Sequence, residues 1–376
     1  MIIQIKDAIF EYAVRNKLSE DIPVYSVTNE KGFCTGYFSK EVASKDKSTY
    51  KIVPKGYFAY NPSRINVGSI DWQNCEDKVI VSPLYVVFGV SEELDQQYLL
   101  HYLKSDMMLT YIKEYATGSV RDNLKLSDLG KFPINLRPLD EQRKIAAVLD
   151  KVSDLIAKRR QQLDKLDELI KARFVEMFGD PISNPHKWEL QSLSNICKDI
   201  YGGGTPSKSH PEYFEGSIPW VSPKDMKSDI IMDSIDHITE EAVENSSTKM
   251  VPKGAVLMVI RSGILKHTLP VAIAAVELTV NQDMKAFIVG ENVTAKFLMY
   301  YFRTIEADVL SRVRSVTADN IDFKEFQKRM VILPPIELQN RFDAFVEQTE
   351  KTKTTISKSL EKLETLKKAL MQEYFG

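Results

Sequence analysis

Cysteine is scarce: the 376 residues hold only Cys34, Cys75 and Cys197, with neither paired spacing nor neighbouring histidines. A disulfide framework and a thiolate zinc site both lose their material, and the three read as plain buried thiols. The five histidines, His101, His186, His210, His237 and His267, are scattered, and no Ser/His/Asp grouping or purposeful pair of carboxylates emerges from the spacing. An enzyme is disfavoured. No stretch approaches the roughly 18 apolar residues of a membrane span, and MIIQIKDAIF lacks the basic lead and cleavage site of a signal peptide, so the chain reads as cytoplasmic. Charge excess is missing too, since 50 Lys+Arg face 52 Asp+Glu for a net charge of -2. Nucleic-acid binders usually show a basic excess over at least one domain, so any such binding must come from local patches or a basic partner.

What the chain has is a repeat. Asp122–Gly179 aligns without a gap to Asp319–Gly376 at a constant offset of 197, with 16 of 58 positions identical, among them Gln142 with Gln339 and Phe178-Gly179 with Phe375-Gly376. Upstream, VPKG at Val53–Gly56 recurs at Val251–Gly254, and Ile22-Pro23 recurs as Ile218-Pro219. A period near 200 residues is a duplicated domain rather than a solenoid unit, and gives pseudo-two-fold character. About 36 residues precede Ile218-Pro219 after the first repeat, whereas 21 precede Ile22-Pro23. The first copy is therefore expected to lack a counterpart of Trp188–Thr205.

Each copy has two textures. Residues 1–135 and 180–332 carry short β-branched and aromatic runs broken by Gly, Pro and Asn, with helical pieces near Leu94–Tyr115 and Thr294–Leu310. Residues 136–179 and 333–376 open on Pro138 and Pro335 and run free of Pro and Gly to a terminal glycine. Each predicts one long helix. Ile145, Leu149, Val152, Ile156, Leu163, Leu166 and Ile170 form a narrow heptad seam on the first, and Phe342, Val346, Ile356, Leu360, Leu363 and Leu370 form it on the second. One helix of some 55 Å cannot bury such a seam on a single domain, so the two are expected to pair antiparallel between two α+β domains.

Candidate chemistry is sparse. GGGTPSKS at Gly202–Ser209 lacks the glycine a phosphate loop needs before its lysine, Ser207 standing there instead; it reads as a structural turn, or as a backbone-rich loop approaching a phosphate chain through Gly203, Thr205, Ser207 and Lys208. Asn61-Pro62-Ser63-Arg64 departs in its last two positions from the tetrapeptide that holds a flipped adenine, and no glycine-rich loop for a methyl donor accompanies it. Basic and amide residues do cluster in matching places: Lys55, Asn61, Arg64 and Asn66, then Arg121, Asn123 and Lys125, in the first copy; Lys253, Arg261, Ser262, Lys266 and His267, then Arg312, Arg314 and Asn320, in the second. Arg and Asn reach base edges bidentately and Lys serves phosphates, although each also reads as a solvated surface charge. Arg64 and Arg261 follow the two VPKG segments at similar distances, and both are expected on a DNA-facing side.

LRPLDEQRKIAAVLD (Leu136–Asp150), LPPIELQNRFDAF (Leu333–Phe345), VASKDKSTYKIVPKGYFAYNPSRINVGSI (Val42–Ile70), GSVRDNLKLSDL (Gly118–Leu129) and GGGTPSK followed by IPWVSPKDM together resemble the specificity subunits of Type I restriction-modification systems. Arg137 stands where the first proline of that family's Leu-Pro-Pro-Leu-x-Glu-Gln signature is usual, and Leu338 replaces its Glu. The resemblance implies two target recognition domains alternating with two long helices packed as an antiparallel coiled coil. It also implies a non-catalytic subunit that reads a bipartite, asymmetric site on double-stranded DNA. No cofactor or metal is implied in this chain; two methyltransferase subunits would bring S-adenosylmethionine, and restriction/translocase subunits ATP and Mg. The competing readings are a scaffold presenting two ligand-binding heads without nucleic acid, and a methyltransferase with a fused reader.

Overall fold

Short strands rich in Val, Ile and aromatic residues and the helices that cover them build the buried cores, and the chain also holds two 40-residue helices, Leu139–Phe178 and Ile336–Phe375. The computed structural model describes residues 1–36, 46–116, 123–315 and 319–376. They fall into two units, one of Met1–Gln161 with Ser357–Gly376, the other of Gln162–Ile356. Each unit thus holds a stretch of both long helices. Among the described residues no helix is long and apolar enough to cross a membrane.

In the first unit an antiparallel sheet runs in the order Ile9–Glu11, Val86–Val90, Phe58–Tyr60, Ile70–Trp72. Phe58 and Phe88, opposite each other in the register, stack at 5.0 Å. Behind them lies Gln96–Leu103, a helix started by the Asp95 carboxylate accepting from the Tyr98 N–H. In the second unit the sheet order is Cys197–Gly202, Met284–Val289, Val256–Val259, Val271–Ala274, Ile230–Ile231, and Ala295–Thr304 is the covering helix, capped by Thr294. Both VPKG segments make the same turn into the central strand, with Gly56 at φ 86° and Gly254 at φ 89°. A side chain is strained in that left-handed backbone, which is why glycine ends both motifs.

The registers match the copies residue by residue. Phe58 pairs with Phe88 as Val256 pairs with Phe287, and Tyr60 with Val86 as Met258 with Lys285. One expectation fails here: the first unit does have a counterpart of the edge that begins at Trp188. Ile2–Gln4 pairs with Pro133–Asn135 as Glu189–Ser192 pairs with Met330–Leu333. Ile5 and Lys6 then donate to the Phe132 and Gly130 carbonyls as Leu193 and Ser194 donate to those of Arg329 and Gln327. Residues 2–9 fill these places at an offset of 188, and Phe10 and Glu11 at 189 past a bulge at Cys197–Asp199, not at 197, so a gap hid them from alignment; what the first copy shortens is the glycine loop that follows. Of the thiols only Cys197 is buried, Cys34 being half-buried and Cys75 exposed.

Within each unit the two long helices run antiparallel. In the first unit, Ile145 and Leu149 share a core with Leu370 and Phe375, and farther along Arg160 meets Glu364 at 2.7 Å. In the second, Asp167 meets Lys353 at 2.7 Å and Phe174 meets Phe342 at 5.4 Å. Ile145, Leu149, Val152, Ile156, Ile170, Phe342 and Val346 are buried, whereas Leu163, Leu166, Ile356, Leu360, Leu363 and Leu370 are only half-buried. The apolar weight sits at the helix ends. Phe178 packs on Phe297 at 5.0 Å and on Phe342 at 5.5 Å; its repeat equivalent Phe375 packs on Tyr98 at 5.2 Å and Tyr102 at 5.6 Å. Phe178→Ala and Phe375→Ala should each cost about 3–5 kcal/mol in urea unfolding, more than Leu163→Ala at the half-buried seam.

Candidate nucleic-acid interface

The joint between helix and domain is built the same way twice. Gln142, wholly buried near the start of the first long helix, accepts from the Asp95 N–H at 2.9 Å and donates to the carbonyls of Glu93 and Arg137, both at 2.8 Å. Gln339, equally buried, accepts from the Thr294 N–H at 3.0 Å and donates to the carbonyls of Asn292 and Pro334, both at 2.9 Å. Asp95 and Thr294 are the caps of the two covering helices, so one side chain fixes the long helix to the cap of the helix that backs the sheet. Glutamine suits the task because its amide offers an acceptor and two donors on one flexible stem. The hydroxyls of Tyr102 and Tyr301 add matching bonds to the carbonyls of Pro133 and Met330.

Around this shared joint the copies differ. In the first, neutral His101, its pKa lowered by burial, lies 2.8 Å from Asp150, which also accepts from Gln97 at 2.6 Å. In the second, Thr294 donates its hydroxyl to Asp343 at 3.1 Å, and burial pushes the Asp343 carboxyl up to about 6. Folding therefore favours the protonated acid, and the second unit should lose stability as pH rises from about 4 to about 6. Asp343→Asn should abolish that slope in melting temperatures measured from pH 4 to 7. Gln142→Leu and Gln339→Leu, which orphan one N–H and two carbonyls each, should cost on the order of 1–3 kcal/mol per stranded group in urea titration.

The basic clusters sit at the far end of the central strand from the VPKG turn. In the first unit the Asn61 carboxamide oxygen accepts from the Ser63 N–H at 3.1 Å and from its hydroxyl at 2.9 Å, so a local turn, not a base, occupies that amide. Arg64 is exposed and, among the described residues, without an ion pair; it opens the short helix Ile65–Val67 that carries half-buried Asn66. Asn61 and Arg64 line a cleft of roughly 450 Å³ with Asn29, Lys31, Ser69 and Tyr85. The Leu124 N–H donates to the Pro62 carbonyl at 3.2 Å, bringing exposed Asn123 and Lys125 alongside.

The second unit repeats the frame with other side chains. Ile321 donates to the Ile260 carbonyl at 2.9 Å and Ser262 to that of Asp319 at 3.0 Å, which sets exposed Asn320 beside Arg261. The Ser262 hydroxyl starts the helix Gly263–Lys266, with Lys266 3.7 Å from Asp319 and His267 exposed. Asn320 also pairs with Arg314 in a two-stranded hairpin. Exposed Arg312 is bound at 2.9 Å to Asp308.

Several expectations change. Arg121 lies outside the described residues, as does the Arg314 side chain. Lys55 and Lys253 are exposed but belong to the VPKG turns, across the central strand from Arg64 and Arg261, and do not join those clusters. Arg64 and Arg261 are not counterparts: the matched bonds at Pro62 and Ile260 make Arg64 equivalent to Ser262, and Arg261 to Ser63. The glycine loop does not offer its amides to a phosphate. Gly203 and Gly204 donate to the carbonyls of Met284 and Val280 at 3.4 and 3.1 Å, and a Cβ on Gly203 would lie 1.6 Å from the Asn281 carbonyl. Those glycines permit backbone to pack on backbone; Thr205 is half-buried, and Ser207 and Lys208 beyond are exposed. Gln142, Gln339 and the turn at Asn281–Asp283 were not singled out, the two glutamines being visible only as identities between copies.

The family described as Type I restriction modification DNA specificity domain matches residues 2–168 and again 185–367. The chain belongs to that family. It is 34% identical over 224 residues to the specificity subunit of the type I restriction enzyme EcoR124I/EcoR124II of Escherichia coli, covering 58% of this chain and 54% of that one. It is 25% identical over 269 residues to the MjaIX specificity subunit of Methanocaldococcus jannaschii, covering 67% and 61%. The chain thus spans about half to two thirds of the length of the curated relatives it matches. Among solved structures, a chain of a type I R-M system matches with a TM-score of 0.61 at 19% identity, over 100% of this chain and 97% of that one. The S subunit from M. genitalium matches with a TM-score of 0.59 at 14% identity, over 100% and 96%. These two support the fold of the specificity family, two α+β repeats with long helices.

Proposed function

We propose that the chain is the non-catalytic, sequence-reading subunit of a type I restriction-modification complex, each recognition domain contacting one half of a bipartite, asymmetric site on duplex DNA. One observation carries this reading: the two copies share a backbone frame yet present different Arg, Asn and Lys side chains at the same end of the sheet. A duplicated structural protein has no need to vary that end while keeping Gln142 and Gln339 in place. Two unlike readers on one scaffold yield an asymmetric composite site. Methyltransferase subunits would supply S-adenosylmethionine and the reaction, and translocating nuclease subunits would consume ATP with Mg. Near-neutral charge fits a subunit whose phosphate contacts come in large part from such partners.

The test is a duplex gel shift with the full chain and its methyltransferase partner. Binding should be sequence-selective and weaken steeply with salt, whereas binding that ignores ionic strength would favour a ligand-presenting scaffold. The reading also makes the helices a ruler. One heptad added to both, between Lys158 and Leu163 and between Thr355 and Leu360, lengthens each by roughly 10 Å, about three base pairs of B-DNA. Methylation mapping should then show both half-sites unchanged and the preferred spacer longer by one to three base pairs, the shortfall reflecting the rotation that DNA twist imposes. An unchanged spacer would place the ruler in the partner subunits.

A further inference from the structure

Arg261 is exposed, but it is not loose. Its Nε donates to Asp283 Oδ1 at 2.6 Å, and Asp283 Oδ2 accepts from the Asn281 side-chain amide at 3.2 Å. Asn281 is buried, and its own oxygen accepts from the Asp283 N–H at 3.1 Å, so the carboxylate is held from both sides. The backbone is tied as well: the N–H groups of Ile260 and Arg261 both donate to the Asp283 carbonyl, at 2.8 and 3.2 Å. With one carboxylate oxygen on Nε and the other on Asn281, Asp283 leaves the two terminal amino groups of Arg261 without a partner among the described residues. They are the pair of donors that can address two acceptors side by side.

The duplicated fold supplies its own control. By strand register the places of Arg261, Asn281 and Asp283 are taken in the first unit by Ser63, Ser82 and Leu84, and Leu84 is exposed. The same turn forms there without any of the three polar groups. The Asn281–Asp283–Arg261 relay is therefore not required by the fold, and it fixes a costly, otherwise flexible side chain in one orientation.

Resting on the proposed DNA-reading function, we infer that Asp283 is a positioning residue that makes Arg261 a reader of one guanine in the half-site of the second unit. A guanine presents O6 and N7 as neighbouring acceptors in the major groove, which matches a guanidinium whose Nε is already engaged. A phosphate would accept the same donors but carries no sequence information.

The experiment is selection of methylated duplexes from a library with both half-sites randomised, using the full chain with its methyltransferase partner. Wild type, Arg261→Lys, Asp283→Asn and Asp283→Ala are compared. A guanine preference at one position of one half-site should fall roughly tenfold in Arg261→Lys and Asp283→Ala. It should survive in part in Asp283→Asn, which keeps an acceptor for Nε, and all other positions should be unchanged. A uniform loss of methylation across sequences in Asp283→Ala, or a guanine preference that ignores both residues, overturns the assignment while leaving DNA reading intact. Sequence-blind methylation by wild type would instead sink the reading on which it rests.

Discussion

Each globular core is closed by the end of a helix that belongs to the other repeat, and that exchange constrains everything else in the chain. Phe174 and Phe178 end the helix of the first repeat, yet they pack among Phe297, Phe342 and Tyr300 of the second. Phe375 ends the helix of the second repeat and packs on Tyr98 and Tyr102 of the first. Removing either helix end would uncover the aromatic surface it covers. The half-buried middle of the seam contributes less than these ends. A narrow apolar stripe interrupted by Thr349, Lys353 and Lys367 suffices because pairing is enforced from both ends.

The glutamine joints show how such a chain can diversify without losing its geometry. Gln142 and Gln339 bond only to backbone groups, one N–H and one carbonyl of the recognition domain and one carbonyl of the lead-in to their own helix, and are indifferent to the side chains presented on the sheet's opposite end. The VPKG turns do the same at the entrance to the central strand, where a left-handed glycine is the only demand. Framework and variable edge are thus written in different residues. Ser63, Ser82 and Leu84 can stand where Arg261, Asn281 and Asp283 stand with no change in strand register.

Much of this was legible beforehand because periodicity and repetition are local signals. The 197-residue offset, the Pro-led helices and the terminal Phe-Gly pairs all lie in the sequence in plain order. The edge formed by Ile2–Glu11 was not legible, because strand addition depends on backbone N–H and C=O groups and leaves no identity to align. The glycine loop misled for a related reason: glycine admits close approach, but whether to a phosphate or to the Asn281 backbone is decided by tertiary packing. Arg261 was singled out as a type of residue. Asp283, 22 residues away, had no signal at all, since what matters is which of its oxygens reaches Nε.

On the proposed DNA-reading function, the ion pairs also bear on how a chain of net charge -2 would serve a polyanion. Arg261 faces Asp283, Lys266 faces Asp319, and Arg312 faces Asp308, so these three exposed cations of the second unit carry their counter-charges with them. Such pairing lowers attraction to any phosphate backbone, the sequence-independent part of DNA affinity. It costs little at a base edge, where a hydrogen-bonding pattern rather than net charge is matched. For a reader that must ignore a large excess of wrong sites, weak attraction to bulk DNA is an advantage, because discrimination depends on the ratio of specific to non-specific binding. Neutrality, which counted against nucleic acid when read as composition, becomes consistent with it once acids are seen to sit on Arg261 and Lys266 of the second unit's candidate edge.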